Sequence, residues 1–415
     1  MRPLVLLAAV LLASPAAAQP IEPATKARID RILKATPLID GHNDLPWALR
    51  QDHDSRVDGL ASGTAARPSP LMTDMARLRE GRVGGQLWSV YISAATKGDE
   101  AIRQTIEQID TLDRLIRAYP VDLELARSAD DMVRIHKAGR IGSMAGIEGG
   151  DQIGNNFAAL RQFYRLGVRS MTLTHSRTTD WADSATDEPR HDGLSPFGIK
   201  VVGEMNRLGM LVDLSHVSAA TARDAIAASR APVIFTHSDA YALNPHPRNV
   251  PDEVLRLLPA NGGVVMITFV PSFLDAGFWA WSRERAAEDA RLKSLYPFSK
   301  DEVAKRLEAW DAAHPVPALS VATVADHVEH VARIAGHDHV GIGGDLDGID
   351  LTVPGLGGVD GYPLLFAELI RRGWSDANLA KLAGGNFLRA LRRAEAVAAS
   401  MKAAPPALDR LPPAP

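Results

Sequence analysis

Eight short apolar or β-branched segments recur along this chain of 415 residues, and stretches with helical periodicity separate them. Segment 263–269 is almost continuously apolar, which is typical of a strand buried on both faces of a parallel sheet. Strands that alternate with helices indicate βα units, and eight such units favour a closed (β/α)8 barrel of the TIM type over an open sheet. The predicted strands are 37–40, 86–92, 141–147, 170–174, 210–214, 233–236, 263–269 and 339–343.

The same alternation predicts a single barrel domain over residues 19–400, since barrels of this type routinely exceed the usual length of a domain. An insertion at about 271–318 separates the last two predicted strands and carries Phe278, Trp279 and Trp281 with a charged helix. This insertion could form a lid, an oligomer contact or ordinary surface packing. Residues 403–415 contain five prolines, and we expect a disordered, proline-rich tail over 401–415.

The first 18 residues have the features of a secretory signal peptide. Arg2 supplies the positive end, residues 4–12 are apolar, and the three alanines at 16–18 resemble a cleavage site. The apolar segment is too short for a comfortable membrane span, and no cysteine follows it to carry a lipid. We therefore expect a periplasmic or secreted bacterial protein without a membrane anchor.

Composition excludes several classes of function. The chain has no cysteine, so thiol catalysis, disulfides and cysteine-bound metals are impossible. Its 46 lysines and arginines do not exceed its 50 acidic residues, and the formal net charge is −4. Because no basic surplus is available to neutralise phosphates, we expect no nucleic-acid partner. A metal site would have to use aspartate, glutamate and the thirteen histidines.

Metal-ligating residue types follow six of the predicted strands, at the C-terminal ends where barrel enzymes place their chemistry. His42 and Asp44 are two residues apart, so in an extended chain their side chains point to the same face. Glu148 is a lone carboxylate between an apolar strand and glycines. The remaining strand ends carry His175, His216, His237 and the pair Asp345 and Asp347.

This pattern indicates a metal centre. Imidazole and carboxylate ligands without thiolates suit Zn²⁺ or a similar divalent ion. The candidates are numerous enough for two ions, and Glu148, central in the set, is the natural bridging carboxylate. Other chemistries are disfavoured, since Ser215 and Ser238 lie outside any G-x-S-x-G motif and no H-E-x-x-H motif occurs. A dinucleotide site is also disfavoured, because Asp345 occupies the place where a phosphate would approach.

Seven ordered motifs resemble those of the membrane (renal) dipeptidase family. They are I-D-G-H-N-D at 39–44, G-I-E-G at 146–149, L-T-H at 173–175, E-M-N-R-L-G-M-L-V-D-L-S-H at 204–216, T-H-S at 236–238, P-R-N at 247–249 and G-I-G-G-D-L-D-G at 341–348. The resemblance extends from about residue 36 to residue 395. It implies a secreted bacterial member of this family, with the barrel of metal-dependent hydrolases.

The resemblance implies five ligands for two Zn²⁺ ions per subunit. His42 and Asp44 would bind one ion, His216 and His237 would bind the other, and Glu148 would bridge them.

The resemblance also implies that the chain hydrolyses dipeptides of the L-L type, and it leaves L-D dipeptides open. The attacking group would be a hydroxide that bridges the two ions. His175 would bind substrate and stabilise the oxyanion, Arg248 would hold the terminal carboxylate, and Asp345 would transfer the proton. We favour Asp345 over Asp347 for this role because it lies nearer the strand end, and we interpret Asp347 as a carboxylate that stabilises a turn.

Two other functions stay open. One is a related binuclear metal amidohydrolase that acts on a non-peptide amide or ester; the other is a non-catalytic periplasmic protein that binds zinc or peptide. Arg248, and the lack of a candidate carbamylated lysine at a strand end, favour the dipeptidase. Without cysteines or a lipid-anchor signal, the disulfide-linked dimers and membrane anchoring of animal members are not expected, but a homodimer stays a possible state.

Overall fold

The computed structural model describes residues 21–408 and residue 411, so the predicted signal peptide at 1–18 lies outside the described residues. Within this part, nine strands form one sheet in which every pairing is parallel. They are β1 Leu38–Asn43, β2 Val83–Tyr91, β3 Leu123–Leu125, β4 Ile141–Glu148, β5 Val168–Thr172, β6 Leu211–Asp213, β7 Val233–Phe235, β8 Val264–Ile267 and β9 Val340–Ile342. Each of the eight predicted segments overlaps one strand, and β3 was not predicted.

Eight of these strands close into a barrel. The order around it is β2, β1, β9, β8, β7, β6, β5, β4, and the pairing of β2 with β4 completes the ring. In this pairing Gly85 lies opposite Gly142 and Tyr91 lies opposite Glu148. Strand β3 pairs with the first residues of β4 and takes no part in the ring. The prediction of a (β/α)8 barrel of the TIM type is therefore confirmed.

Helices surround the barrel and bury its outer face. The α-helices of the described part are α1 Pro23–Ala35, α2 Leu45–Asp52, α3 Met75–Glu80, α4 Gly98–Ala118, α5 Ala129–Lys137, α6 Phe157–Leu166, α7 Pro196–Leu208, α8 Ala219–Ala228, α9 Asp252–Leu255, α10 Leu258–Asn261, α11 Pro271–Leu274, α12 Ala276–Leu295, α13 Lys300–Ala313, α14 Val321–Ala335, α15 Tyr362–Arg371, α16 Asp376–Ala380 and α17 Asn386–Ser400. The layer between helices and sheet is apolar, and Val90, Leu160, Val328 and Phe366 are fully buried in it.

Local sequence signals explain where these helices begin and end. At α7, the Ser195 hydroxyl accepts a hydrogen bond from Gly198 N at 3.3 Å. Pro196 occupies the first turn of α7, where its missing N–H has no partner to lose. The helix ends at Gly209, whose φ of +83° is a left-handed conformation that glycine adopts without strain. The Asn156 side chain caps α6 in the same manner, by accepting from Ala158 N at 2.9 Å.

Small residues let three strands approach one another inside the barrel. A Cβ on Gly343, which follows β9, would collide with Thr236 O, which follows β7. A Cβ on Gly41 of β1 would lie 2.6 Å from both Thr236 O and Met266 Sδ. Side chains at these two positions would force the strands apart, so the glycines bring the ends of β1, β7 and β9 together.

The predicted insertion at 271–318 lies between β8 and β9 and is helical. Its helices α12 and α13 pack against each other, and Trp281 Nε1 donates a hydrogen bond to His314 O at 2.8 Å. At the base of the insertion the ring of Trp279 lies 4.8 Å from the ring of His246. The insertion thus contacts the loop that follows β7.

The described part of the predicted tail has defined contacts. Arg161 of α6 donates to Ala407 O at 2.7 Å, and Ala407 N donates to Glu204 of α7 at 3.3 Å. The expectation of disorder over 401–415 therefore does not describe Ala407, which hydrogen-bonds to α6 and α7. Among the described residues, no helix is both long and apolar enough to span a membrane.

Candidate metal centre

Seven of the candidate side chains converge at the C-terminal end of the barrel. Each lies at the C-terminal end of a barrel strand or in the loop directly after it, and closure of the eight-stranded barrel brings these ends together. Their side chains are between 1% and 20% exposed. They are His42 and Asp44 at β1, Glu148 at β4, His175 after β5, His216 after β6, His237 after β7 and Asp345 after β9.

Glu148 lies at the middle of this group. Its Oε1 is 3.0 Å from His216 Nε2, 3.4 Å from His237 Nε2 and 3.6 Å from His175 Nε2. Its Oε2 is 3.4 Å from His42 Nε2. One carboxylate therefore faces four imidazole nitrogens. Its Oε1 faces those of His175, His216 and His237, and its Oε2 faces that of His42.

A second set of atoms adjoins the first at His42. His42 Nε2 lies 3.2 Å from Asp44 Oδ2 and 3.9 Å from Asp345 Oδ1. The loops that carry these carboxylates are joined by backbone hydrogen bonds, from Asp345 N to His42 O at 3.1 Å and from Asp44 N to Leu346 O at 2.9 Å. Three potential metal-binding triplets result. They are His42, Glu148 and His237; Glu148, His175 and His216; and His42, Asp44 and Asp345.

The contacts within the cluster fit divalent metal ions. His216 Nε2 and His237 Nε2 approach to 2.9 Å, and His42 Nε2 and Asp44 Oδ1 are buried without a hydrogen-bond partner. Buried lone pairs that face one another without enough protons to join them are costly. A cation among them satisfies several at once, and nitrogen and oxygen donors without thiolates suit Zn²⁺, Mn²⁺ or Co²⁺.

The electrostatics of the cluster favour the metal-binding protonation state at His216, His237 and Glu148 but not at His42. Burial lowers the pKa of His42, but the charges of Glu148 and Asp44 outweigh it and raise that pKa well above its usual value, so a metal ion has to displace a proton from His42. Burial, with the charges of Arg248 and His175, holds the pKa of His216 well below its usual value, and burial together with the charge of His42 lowers the pKa of His237 to about 3. Both imidazoles are therefore neutral at pH 7. Burial raises the pKa of Glu148, but the nearby histidines outweigh this effect and hold that pKa well below its usual value. Neutral imidazole and ionised carboxylate are the ligand forms that metal ions require.

Two residues of the group have backbone conformations that side chains rarely adopt. His216 has a φ of +68° and Asp345 a φ of +62°, both in the left-handed region. Such conformations cost energy and persist when the surrounding structure holds them in place. Here they turn the two side chains into the cluster.

Arg248 lies deep beside the cluster. Its Nη2 donates to His237 O at 3.3 Å, its Nη1 lies 3.5 Å from Ser238 Oγ, and its Nε is buried without a partner. Burial lowers its pKa to about 10, so the guanidinium is still charged at neutral pH. A buried cation with an unused donor is suited to bind an anionic group of a ligand.

Asp347 does not join the cluster. Its Oδ1 accepts a hydrogen bond from Met72 N at 2.6 Å, which ties the loop before α3 to the end of β9. This contact fits the interpretation of Asp347 as a structural carboxylate.

Sequence reasoning missed the carboxylates directly beneath the cluster. Asp40 accepts from Gly344 N at 2.7 Å and from Gln86 Nε2 at 2.8 Å. Asp213 accepts from Thr236 N at 2.9 Å. Both residues lie within the strand-end motifs of the sequence, two or three positions before a candidate ligand, and that spacing was the signal available.

Comparison with known proteins adds three kinds of similarity. The model of the membrane dipeptidase family (peptidase family M19) matches residues 26–405. The chain is 41% identical over 383 residues to the dipeptidase verJ of Clonostachys rogersoniana, covering 90% of this chain and 88% of that protein. It is also 41% identical over 380 residues to the dipeptidase tcpJ of Claviceps purpurea, covering 89% of this chain and 80% of that protein.

Solved structures show the same fold. The crystal structure of dipeptidase AC, described as a family M19 metallopeptidase, is 25% identical with a TM-score of 0.71 and covers 87% of this chain and 99% of its own. A metallopeptidase from Rhodobacter sphaeroides, liganded with a phosphinate mimic of the dipeptide L-Ala-D-Ala, is 24% identical with a TM-score of 0.70 over the same shares. The resemblance found in the sequence is thereby confirmed, and the chain belongs to the membrane dipeptidase family as a metallo-dipeptidase.

Proposed function

We propose that this chain hydrolyses dipeptides with two zinc ions per subunit, held by His42, Asp44, Glu148, His216 and His237. The observation that carries the proposal is the position of Glu148, whose two oxygens face imidazole nitrogens on opposite sides. A bridging carboxylate in this place suits two ions at the spacing of about 3.5–4 Å that is typical of two-metal hydrolases.

The bound ions would supply Lewis acidity, which polarises the scissile carbonyl and lowers the pKa of water. The chain's own residues bind and orient the substrate around them. His175, whose ring is 4.7 Å from that of Tyr91, donates a hydrogen bond to the oxygen that gains charge during the reaction. Asp345, 3.9 Å from His42, takes a proton from the attacking water and returns it to the leaving amine.

Arg248 binds the free C-terminal carboxylate of the substrate. Its buried guanidinium presents a fork of donors that matches a carboxylate, and its depth limits how much chain can extend beyond the scissile bond. This arrangement favours dipeptides over longer peptides and over dipeptide amides.

The enzyme acts outside the cytoplasm in this proposal. The signal-like segment at 1–18 supports export to the periplasm or the medium. Mass spectrometry of the secreted protein should give an N-terminus at Gln19, and an intact N-terminus on protein retained in the cytoplasm would contradict export.

A substrate panel tests the activity. Zinc-loaded and chelator-treated protein is assayed on L-L and L-D dipeptides, their C-terminal amides and a tripeptide. We expect zinc-dependent cleavage confined to dipeptides with a free carboxylate, and the L-D substrates measure stereochemical breadth. Metal-bound protein that leaves the whole panel intact would contradict the proposal.

A further inference from the structure

A chain of three side chains runs from Asp213 through Thr236 to the outer nitrogen of His237. Asp213 Oδ2 lies 2.7 Å from Thr236 Oγ1, and Thr236 Oγ1 lies 2.9 Å from His237 Nδ1. All three side chains are buried, with between 1% and 2% of each residue exposed. His237 Nε2, on the other side of the ring, faces Glu148 and His216.

The available hydrogen-bond donors and acceptors fix which of the three side chains donates and which accepts in each contact. Asp213 Oδ1 accepts from Ser215 N at 3.1 Å and from Thr236 N at 2.9 Å, and Oδ2 receives the hydroxyls of Thr172 at 2.5 Å and Thr236 at 2.7 Å. A carboxylate has only acceptors, so the one hydroxyl proton of Thr236 is directed to Asp213. The free lone pairs of Thr236 can then only accept, and the neighbouring His237 Nδ1 must donate.

We propose that Asp213 and Thr236 are positioning residues that hold His237 in the tautomer with its proton on Nδ1. The Nε2 lone pair is then directed at Glu148 and His216 and is free to bind a metal ion. His216 differs, because its Nδ1 is buried without a hydrogen-bond partner. The inference rests on the proposed role of His237 as a ligand, and it adds the part of the chain that prepares that ligand.

The hydrogen-bonded series Asp213, Thr236 and His237, here called the relay, predicts different outcomes for substitution of two threonines. Thr236→Val keeps the shape of the side chain but removes the hydroxyl, which leaves His237 Nδ1 without its acceptor. Thr172→Val removes the other hydroxyl that bonds to Asp213 Oδ2, yet the partners of this hydroxyl are Asp213 and Ile147 O rather than a histidine of the cluster. Zinc affinity of the full protein, measured by competition with a chelator, should fall by about 10- to 100-fold in Thr236→Val. It should change by less than about threefold in Thr172→Val and in the hydroxyl-retaining Thr236→Ser.

Asp213→Asn reverses the relay. The two backbone N–H groups at Oδ1 require an oxygen, so the amide NH₂ must take the place of Oδ2 and donate to Thr236. The Thr236 hydroxyl would then donate to His237 Nδ1, and the ring proton would move to Nε2, where it blocks the metal. We expect this variant to lose at least as much zinc affinity as Thr236→Val.

Histidine-selective ¹⁵N NMR reads the tautomer without any activity measurement. In metal-free wild type at pH 8, the His237 signal, assigned by its loss in His237→Asn, should have the pattern of Nδ1–H. Nε2–H in the wild type would overturn the proposal. So would equal losses of zinc affinity in the two valine variants, since the position of Asp213 rather than the relay would then be responsible. The wild-type spectrum decides the question even if a variant fails to fold.

Discussion

At Glu148, a single buried carboxylate contacts imidazoles that come from four different strand ends. The residue types could be chosen from the sequence because metal ions select imidazole and carboxylate by their chemistry. Which ligand atoms face one another could not be predicted from the sequence, because it depends on the angle at which each strand reaches the C-terminal end of the barrel. The two left-handed residues, His216 and Asp345, illustrate this limit, since no local pattern in the chain marks them.

Replacing Glu148 by Gln tests the proposed bridge. The amide keeps the shape but supplies one neutral oxygen and an NH₂ that repels cations, so we expect the bound metal to fall from two ions towards one. Turnover should fall by at least about 100-fold, a loss comparable to that caused by removing one group that stabilises charge in the transition state. Metal analysis and a dipeptide assay give the two readouts. Two tightly bound ions with a normal rate would exclude the bridging role.

Replacing Arg248 by Ala tests recognition of the carboxylate. Loss of a buried, charged hydrogen-bond donor costs about 2–5 kcal/mol of binding, so KM for dipeptides should rise steeply. The amidated dipeptide, which lacks the charge, should lose much less, and the preference for a free carboxylate should shrink. Steady-state kinetics on the matched pair of substrates measures both effects. Arg256, an exposed arginine on the outer helices, is the control position. An unchanged preference in Arg248→Ala would place the recognition elsewhere.

At the level of elements, short apolar or β-branched segments located every strand of the barrel ring, and helical periodicity indicated that helices separate them. Strand β3, Leu123–Leu125, was missed because two of its three residues are incompletely buried, so it lacks a continuous apolar segment. The strands β6, β7 and β9 are equally short but buried throughout, and they were predicted. The extended conformation of β3 is stabilised by its pairing with the first residues of β4, which its own sequence does not indicate. Short elements of this kind depend on a partner rather than on periodicity.

A buried histidine on α14 predicts loss of stability in acid. His327 Nδ1 accepts from Ala240 N at 3.1 Å and Nε2 donates to Leu274 O at 2.9 Å, and burial lowers its pKa from 6.5 to about 4. The unfolded chain binds this proton near pH 6.5, whereas the folded chain resists it until about pH 4. The free energy of unfolding should therefore fall as pH drops from 6.5 to 4, by at most about 3 kcal/mol from this group.

His327→Gln isolates that contribution. Its free energy of unfolding, measured by urea denaturation of metal-free protein, should depend less steeply on pH between 6.5 and 4 than that of the wild type. Removal of metal from both proteins excludes proton-linked metal release from the comparison. The exposed His314, changed to Gln, is the matched control for the loss of a histidine side chain. Identical slopes in wild type and His327→Gln would show that His327 is not the group responsible.

For the whole molecule, the metal centre joins strands from all around the ring, so binding at one place should stabilise the entire barrel. A metal ion that binds only the folded state, at a free concentration 1,000 times its dissociation constant, adds about 4 kcal/mol to the free energy of unfolding. The unfolding midpoint should therefore fall by several degrees when a chelator removes the metal, and rise again when zinc is restored. Differential scanning calorimetry measures the shift, and Glu148→Gln should show a smaller one. An unfolding midpoint that does not change when the chelator is added would contradict a shared metal centre.

The amino-acid sequence by itself determined the succession of strands and helices, the exclusion of thiol chemistry and the set of residues able to bind metal. These properties are local, because burial periodicity, helix caps and ligand chemistry act over a few neighbouring residues. Tertiary structure alone decided that β2 pairs with β4, that Glu148 lies between opposing imidazoles and that Asp213 reaches His237 through Thr236. Those contacts join residues that are far apart in the chain, and their distances follow from how the barrel closes, which no local pattern encodes.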